Sequence, residues 1–300
     1  MLADKLLLGF ATNQDPERLE IFCRSARSVY SESELSICLI VDKETIESVD
    51  FNDMHVNFFL TTNCYNKFLG KIQKTLLRAI FFILRSISSL SLESVDPRAV
   101  TGLLRLWHHP QVIRWLDYRD VLSTFPHAKK IFISDVKDVV FQAPFLENID
   151  SKVYLCADSE DFTAYSWNGR WIADAYGRDR LETLRDAQPI CVGTVYGERR
   201  SIEIMLEEFA AVITEQPFGK VEQAIFNNAY YAGRFSFDSE ILENVSRCVA
   251  TLDDEAFSKL DLSKGDAALR EDGSVVPVIH MYDRFPQLLD FMRARHIEMN

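Results

Sequence analysis

What the chain lacks narrows its class first. Its six cysteines (Cys23, Cys38, Cys64, Cys156, Cys191 and Cys248) include no CxxC pair. Most sit in apolar, strand-like runs. They are expected to be reduced core residues of a cytosolic protein, not a disulfide framework or a zinc site. No stretch reaches about 18 uncharged apolar residues, so no transmembrane helix is expected. The opening MLADKLLLGFATN has neither a basic n-region nor a small-residue cleavage site, and it reads as a first strand over 6–10. Positive charge is scarce. Thirty-three Lys and Arg face 45 Asp and Glu, a net charge of −12. That argues against a nucleic-acid partner, because phosphate contacts need a basic field. There is no internal repeat and no long linker. The 300 residues, 47% of them hydrophobic, can build a sizeable core and are expected to form a single domain over 1–300.

What is present alternates. LLLGFATN precedes a helical stretch over 16–30. ELSICLIVD (34–42) and HVNFFLTT (55–62) read as strands. RWLDYRDVLSTFP (114–126) reads as a helix leading into the strand KKIFIS, and His108-His109 before it reads as loop. KVYLCAD (152–158) is strand-like, and ICVGTVYG (190–197) is a short apolar segment with glycines. Helical periodicity returns over 201–215 and 221–233, short strands are expected within 235–252, and VVPVIHMYD (275–283) reads as a strand before a last helix. This order predicts an α/β fold with a mixed, mainly parallel central sheet flanked by helices. Ligands of such sheets bind beyond the carboxyl ends of the strands. Polar groups gather at four of those ends: Thr12-Asn13, Asp42, Asp135 with Asp138, and Asp158.

The stretch KKIFISDVKDVVFQAPF (129–145) places two acids and a lysine between two apolar runs. In a strand, residues three apart point to opposite faces, so Asp135 and Asp138 converge only if the chain turns between them. Two hard oxygen ligands at a strand end suit Mg²⁺ or Mn²⁺, which keep positions open for substrate phosphates. The spacing alone also fits an ordinary turn with solvated acids, Lys137 then balancing charge.

Strand, acidic turn and VVFQAPF in that order resemble the metal-binding stretch of GT-A-type glycosyltransferases, the nucleotide-diphospho-sugar transferase fold. Their D-x-D motif holds a divalent ion against a nucleotide-sugar diphosphate; here the pattern is DVKD. The resemblance implies a Rossmann-type sheet and a metal-dependent transferase. Its expected metal ligands are Asp135, Asp138 and, as a late histidine in VIHMYDRFP, His280. Arg114 or Arg119, on the helix before the acidic strand, is expected near the donor diphosphate, and Arg284 is a further fork donor to phosphate. Thr12, Asn13 and Asp42 would surround the nucleoside. CVGTVYG resembles the small-residue loop lining the donor sugar, where Gly193 and Thr194 let backbone approach it. VEQAIFN (221–227) resembles the acidic segment opening a helix on the acceptor side, with Glu222 and Gln223 facing the reacting sugar. The donor would be a UDP- or GDP-sugar, the acceptor a glycan or lipid-linked molecule, as in polysaccharide biosynthesis. A nucleotidyltransferase or phosphohydrolase also needs metal and phosphate contacts, but no glycine-rich phosphate loop follows LLLGF. A non-catalytic membrane-binding scaffold is the remaining class.

Residues 54–92 contain no Asp or Glu. A basic helical insertion is expected at about 66–92. At about 100° per residue, Lys67, Lys71, Lys74, Arg78 and Arg85 fall within about 40° of one direction, opposite Leu69, Ile72, Leu76, Ile80, Ile83 and Ile87. This stripe fits either a helix packed on the protein's own core or an anchor over 67–87 to an anionic membrane surface. The second reading makes the protein a peripheral one on the inner face of a membrane.

Overall fold

The run KLLLGF does not alternate between apolar and polar residues, because both faces of its strand are covered. In the computed structural model, which describes residues 3–48, 51–61, 75–76, 79–80, 83, 102, 104–106, 108–216, 221–245, 247–263 and 267–298, Leu6, Leu8 and Phe10 pack on one side with Trp115, Phe209 and Phe226. Leu7 packs on the other with Phe22 and Phe132. Strands buried on both faces read as continuous apolar runs. Each such Leu or Phe contributes about 1.5–3 kcal/mol by leaving water.

The strands are β1 (Lys5–Phe10), β2 (Leu35–Val41), β3 (Val56–Leu60), β4 (Lys130–Asp135), β5 (Val139–Phe141), β6 (Val153–Ala157), β7 (Ile190–Glu198), β8 (Ser239–Leu242), β9 (Val249–Thr251) and β10 (Val278–His280). The main sheet has the order β3-β2-β1-β4-β7-β6-β8. Its first four strands are parallel, β7 runs antiparallel to β4 and β6, and β8 is parallel to β6. The helices are α1 (Pro16–Val29), α2 (Lys43–Ser48), α3 (Pro110–Leu122), α4 (Trp167–Tyr176), α5 (Arg178–Leu184), α6 (Arg199–Glu215), α7 (Glu222–Tyr231), α8 (Asp254–Ser258) and α9 (Pro286–Arg293). This is the mixed, mainly parallel α/β sheet expected from the alternation.

Several local expectations change. α3 starts earlier than 114 because the His109 ring accepts from the Gln111 amide as an N-cap and Pro110 sits in the first turn. His109 is therefore a cap and not plain loop. ICVGTVYG is a full strand at the sheet centre, not a loop. The strand expected over 275–283 shrinks to Val278–His280, because Met281 takes a left-handed backbone (φ 65°). The largest change concerns VVF. It does not continue the main sheet but forms a second one, of order β5-β10-β9. Two sheets thus meet at the DVKD turn.

Burial pushes the thiols of Cys23, Cys38 and Cys156 up to about 12. Cys23, Cys38, Cys156, Cys191 and Cys248 are unpaired, in keeping with reduced core residues. Cys64 lies outside the described residues, as do Lys67, Lys71, Lys74, Arg78 and Arg85. Among the described residues no helix is long and apolar enough to cross a membrane.

Candidate active site

The acidic turn is fixed by its valine. Gly9 of β1 pairs with Ser134 of β4. A Cβ on Gly9 would lie 2.5 Å from Val136 Cγ2 and 2.9 Å from Leu39 Cδ2. The missing side chain is the hole into which Val136 packs, fully buried. With Val136 pinned below, Asp135, Lys137 and Asp138 are presented at the rim. Lys137 Nζ reaches Asp283 Oδ2 at 3.3 Å, so it does balance a nearby charge.

The second sheet then delivers the histidine. β10 pairs antiparallel with β5, and His280 lies opposite Val139. The Asp138 carbonyl accepts from the Met281 amide at 2.7 Å, closing the corner. His280 Nε2 comes to lie 3.7 Å from Asp135 Oδ2 and 3.6 Å from Asp138 Oδ1. One potential ligand atom from each of the three lies within 4.8 Å of the others. His280 Nε2 and Asp138 Oδ1 are buried with no hydrogen-bond partner. Buried polar atoms are rarely left so, and two facing each other at this distance fit a shared cation. On its other side His280 Nδ1 lies 3.6 Å from Cys191 Sγ. Burial works against a charged His280, but Cys191, Asp138 and Asp135 outweigh it and lift its pKa well above the ordinary histidine value. Burial raises Asp138 as well. Such a cluster of acids around one imidazole is electron-rich enough to take a divalent cation in place of a proton.

Gly193 completes the cradle. A Cβ there would stand 2.5 Å from His280 Cε1 and 2.8 Å from both His280 Nε2 and Asp135 Oδ2. It would crowd the space between His280 and Asp135. Gly193→Ala is expected to abolish divalent-ion binding while the chain still folds. Isothermal titration with Mn²⁺ checks this beside circular dichroism, and titration matching the wild type would remove Gly193 from the cradle.

Arg114 ties the cluster to α7. Its Nη1 donates to Asp135 Oδ1, and its Nη2 donates to Glu222 Oε1 at 3.1 Å. The side chain is only 7% exposed. Burial opposes the guanidinium's charge, but Asp135 and Glu222 outweigh it and hold its pKa above the ordinary arginine value. The same pairing, with His280, pulls Asp135 down to about 2 against the effect of burial. Glu222 moves the other way: burial raises it more than Arg114 lowers it. Its Oε2 is buried with no partner. Gln223, next in α7, spends its amide on the protein. Nε2 donates to Asp158 Oδ2 at 2.8 Å and Asn168 Oδ1 at 2.7 Å, while Oε1 accepts from the Val192 amide at 3.3 Å.

The other expected site residues divide. Thr12 and Asn13 lie at the end of β1, and the Asn13 amide donates to Asp42 Oδ2 (3.1 Å) and Thr45 Oγ1 (3.2 Å). Asp42 therefore braces that loop. Thr194, opposite Ser134 in the sheet, is fully buried and its Oγ1 has no partner. Arg119 departs from the expectation for it. It pairs with Asp120 (3.1 Å) and Glu207 (3.8 Å), not with the carboxylate cluster. Arg119 lies five residues along the helix from Arg114, about 140° around at 3.6 residues per turn, so the two cannot serve one site. Arg284 is exposed in the turn Tyr282–Arg284. Sequence reasoning named Asp158 only as a strand end and missed Asn168. The signal for Asn168 was Ser166, whose hydroxyl accepts from the Gly169 amide and caps α4.

No family model matches the chain, and no curated protein sequence matches it. Solved structures do. The fold is similar to that of the galactosyltransferase LgtC in complex with donor and acceptor sugar analogs. The TM-score is 0.50 at 11% identity, over 96% of this chain and 95% of that one. An active-site mutant of LgtC gives 0.49 at 10%, over 95% of each chain. A glycosyltransferase involved in the glycosylation of the major capsid of PBCV-1 gives 0.43 at 10%, over 98% of this chain and 99% of that one. The chain has the GT-A-type glycosyltransferase fold.

Proposed function

We propose that this protein transfers a glycosyl group from a nucleotide-sugar donor, a UDP- or GDP-sugar, to a glycan or lipid-linked acceptor. The observation that carries the reading is the group Asp135, Asp138 and His280, in which the partnerless His280 Nε2 and Asp138 Oδ1 lie close together while Gly193 leaves space beside His280 and Asp135. These three residues would hold Mn²⁺ or Mg²⁺. When bound, the ion supplies positive charge to a leaving diphosphate as the bond from sugar to phosphate breaks. The rest falls to the chain itself. Arg114 keeps Asp135 ionised and oriented. The Thr12–Asn13 loop, braced by Asp42, frames the nucleoside. Gln223, whose amide also meets Asn168, holds Asp158 at the strand end. Nucleotide sugars screened for metal-dependent hydrolysis test the reading, and no turnover of any donor with either metal would reject it.

Within this reading Glu222 is the carboxylate that serves proton transfer on the acceptor side. Its buried Oε2 has no partner within the protein and is free to take a proton, and burial raises its pKa above the ordinary glutamate value, which makes it a stronger base. Glu222→Gln keeps the shape and is expected to lower kcat about 100-fold or more, with little change in donor KM. Steady-state kinetics over both substrates decide the point. Wild-type kcat in that variant would return Glu222 to being only the partner of Arg114.

We assign the 67–87 stripe to an anionic lipid surface. Of its apolar face, Leu76, Ile80 and Ile83 are helical and exposed, at 63%, 38% and 59%. Each Lys or Arg near such a surface contributes about 1 kcal/mol. Flotation with acidic liposomes is expected to carry the protein up and to weaken with salt. Reversing Lys67, Lys71 and Lys74 to Glu is expected to release it. Protein that stays at the bottom with acidic and neutral liposomes alike would retire the assignment.

A further inference from the structure

The loop between β6 and α4 carries an aromatic surface that the donor site does not use. Tyr165 is 86% exposed and Trp167 56% exposed. Trp171, one turn along α4, stands with its ring centroid 6.3 Å from that of Trp167, and the Arg170 guanidinium lies 5.4 Å from the Trp167 ring. A single exposed aromatic side chain needs no explanation. Two within three residues, on a turn held as firmly as this one, do.

Three observations fix the turn. The Ser166 hydroxyl donates to the Asp161 carbonyl at 2.7 Å and accepts from the Gly169 amide at 2.9 Å. Asp161 Oδ1 accepts from the Thr163 amide at 2.9 Å. Gly169 packs so closely that a Cβ there would lie 1.7 Å from the Thr163 carbonyl oxygen. The rings are thus presented without the entropy loss of ordering a loose loop.

The turn is also wired to the rim. The Trp167 amide donates to Glu160 Oε2 at 2.7 Å, and the Glu160 amide donates to Asp158 Oδ1 at 3.2 Å. Asp158 takes Gln223 on its other oxygen. Asn168, the residue after Trp167, is buried and meets the same Gln223 amide. The aromatic surface is therefore continuous with the polar network that runs to Gln223, the neighbour of Glu222.

We propose that Tyr165 and Trp167 form a stacking platform for a neutral sugar ring of the acceptor, a role that rests on the glycosyltransferase reading above. The C–H face of a pyranose is apolar and lies flat on an indole or phenol ring, while its equatorial hydroxyls point outward. Arg170 borders the Trp167 ring, Glu160 and Asp161 border the turn that carries the rings, and all three are suited to those hydroxyls. The acids of this border disfavour an anionic lipid or a phosphate chain, and a neutral saccharide meets no such repulsion.

The test uses the full chain with Mn²⁺ and three neutral probes: maltotriose, cellotriose and N,N′,N″-triacetylchitotriose. Saturation-transfer NMR and tryptophan fluorescence read binding, and a nucleoside diphosphate is titrated in parallel. At least one trisaccharide is expected to bind the wild type. Trp167→Ala is expected to weaken it about tenfold, Trp167→Phe to retain most of the affinity, and Tyr165→Ala to weaken it less. Equal binding by wild type and Trp167→Ala overturns the platform and leaves the transferase reading standing. So does a wild type that takes up nucleoside diphosphate with Mn²⁺ but none of the saccharides. A concentration-dependent dimer that Trp167→Ala dissolves, with saccharide binding unmoved, also overturns it, in favour of a contact between copies. A wild type that takes up no nucleoside diphosphate fails the transferase reading itself.

Discussion

Metal-dependent binding of a nucleoside diphosphate is expected to vanish in the Asp135→Ala/Asp138→Ala double variant and in His280→Ala. The three side chains come from two sheets and supply the whole ligand group found among the described residues. Losing a mere outer-shell partner costs a metal site about 10–100-fold in affinity. Losing a ligand costs more. Thermal shift reads the result. A ligand at about 100 times its Kd stabilises a fold by about 2.7 kcal/mol, and that shift should appear in the wild type with Mn²⁺ plus nucleoside diphosphate and be absent in the variants. Asp138→Asn adds a signature of its own. Asp138 holds a buried, partnerless oxygen, and burial together with the nearby Asp135 carboxylate disfavours its charge. Removing its charge is expected to leave the metal-free fold at least as stable as the wild type while still abolishing the Mn²⁺ response. A full Mn²⁺-dependent shift in the double variant would end the metal assignment and the donor geometry built on it.

Arg114→Ala is expected to cost about 3–5 kcal/mol of folding stability, the usual penalty for breaking a buried ion pair by removing one partner. Arg114 is the cation between Asp135 and Glu222, and it is buried beneath them. Without it, two carboxylates face each other in a place that burial already makes unfavourable for charge. Urea unfolding measures the loss, at an unchanged m-value. The cause can be separated from plain cavity formation. If stranded charge is responsible, Arg114→Ala combined with Glu222→Gln should recover part of the loss, since distant sites add but paired ones do not. Arg114→Lys should fall between, keeping the charge but not the fork that reaches both acids. A double variant as unstable as the sum of the two single ones would show that the pair does not act as a unit.

How much of this the sequence determined can be said residue by residue. Continuous apolar runs such as LLLGF and KIFIS announced strands covered on both faces, because only burial on both sides permits them. The end of the KIFIS run placed Asp135 at a strand terminus, and the two-residue periodicity required a turn before Asp138. The end of the VIH run likewise put His280 at a rim. These are local statements, set by backbone geometry and by which side chains avoid water.

Only the tertiary structure decided which rims meet. His280 reaches Asp138 because β10 pairs with β5 in a second sheet, and nothing local in VVF or VIH specifies that partner or its register. Arg114 and Arg119 look alike in the sequence, and the rotation of α3 against the sheet buried one and left the other with Asp120 and Glu207. Gly193 read as a loop glycine, yet it lies in a strand, where its lack of a Cβ makes room for His280 and Asp135; Gly9 fell within an expected strand, but nothing local said that its missing Cβ makes room for Val136. Asn168 joined the site through a helix whose only advance signal was Ser166. In each case the missing information is a contact between residues far apart in the chain. Such contacts follow from how strands pair and helices pack once the whole core closes, and the hydrophobic pattern constrains that closure without naming the partners.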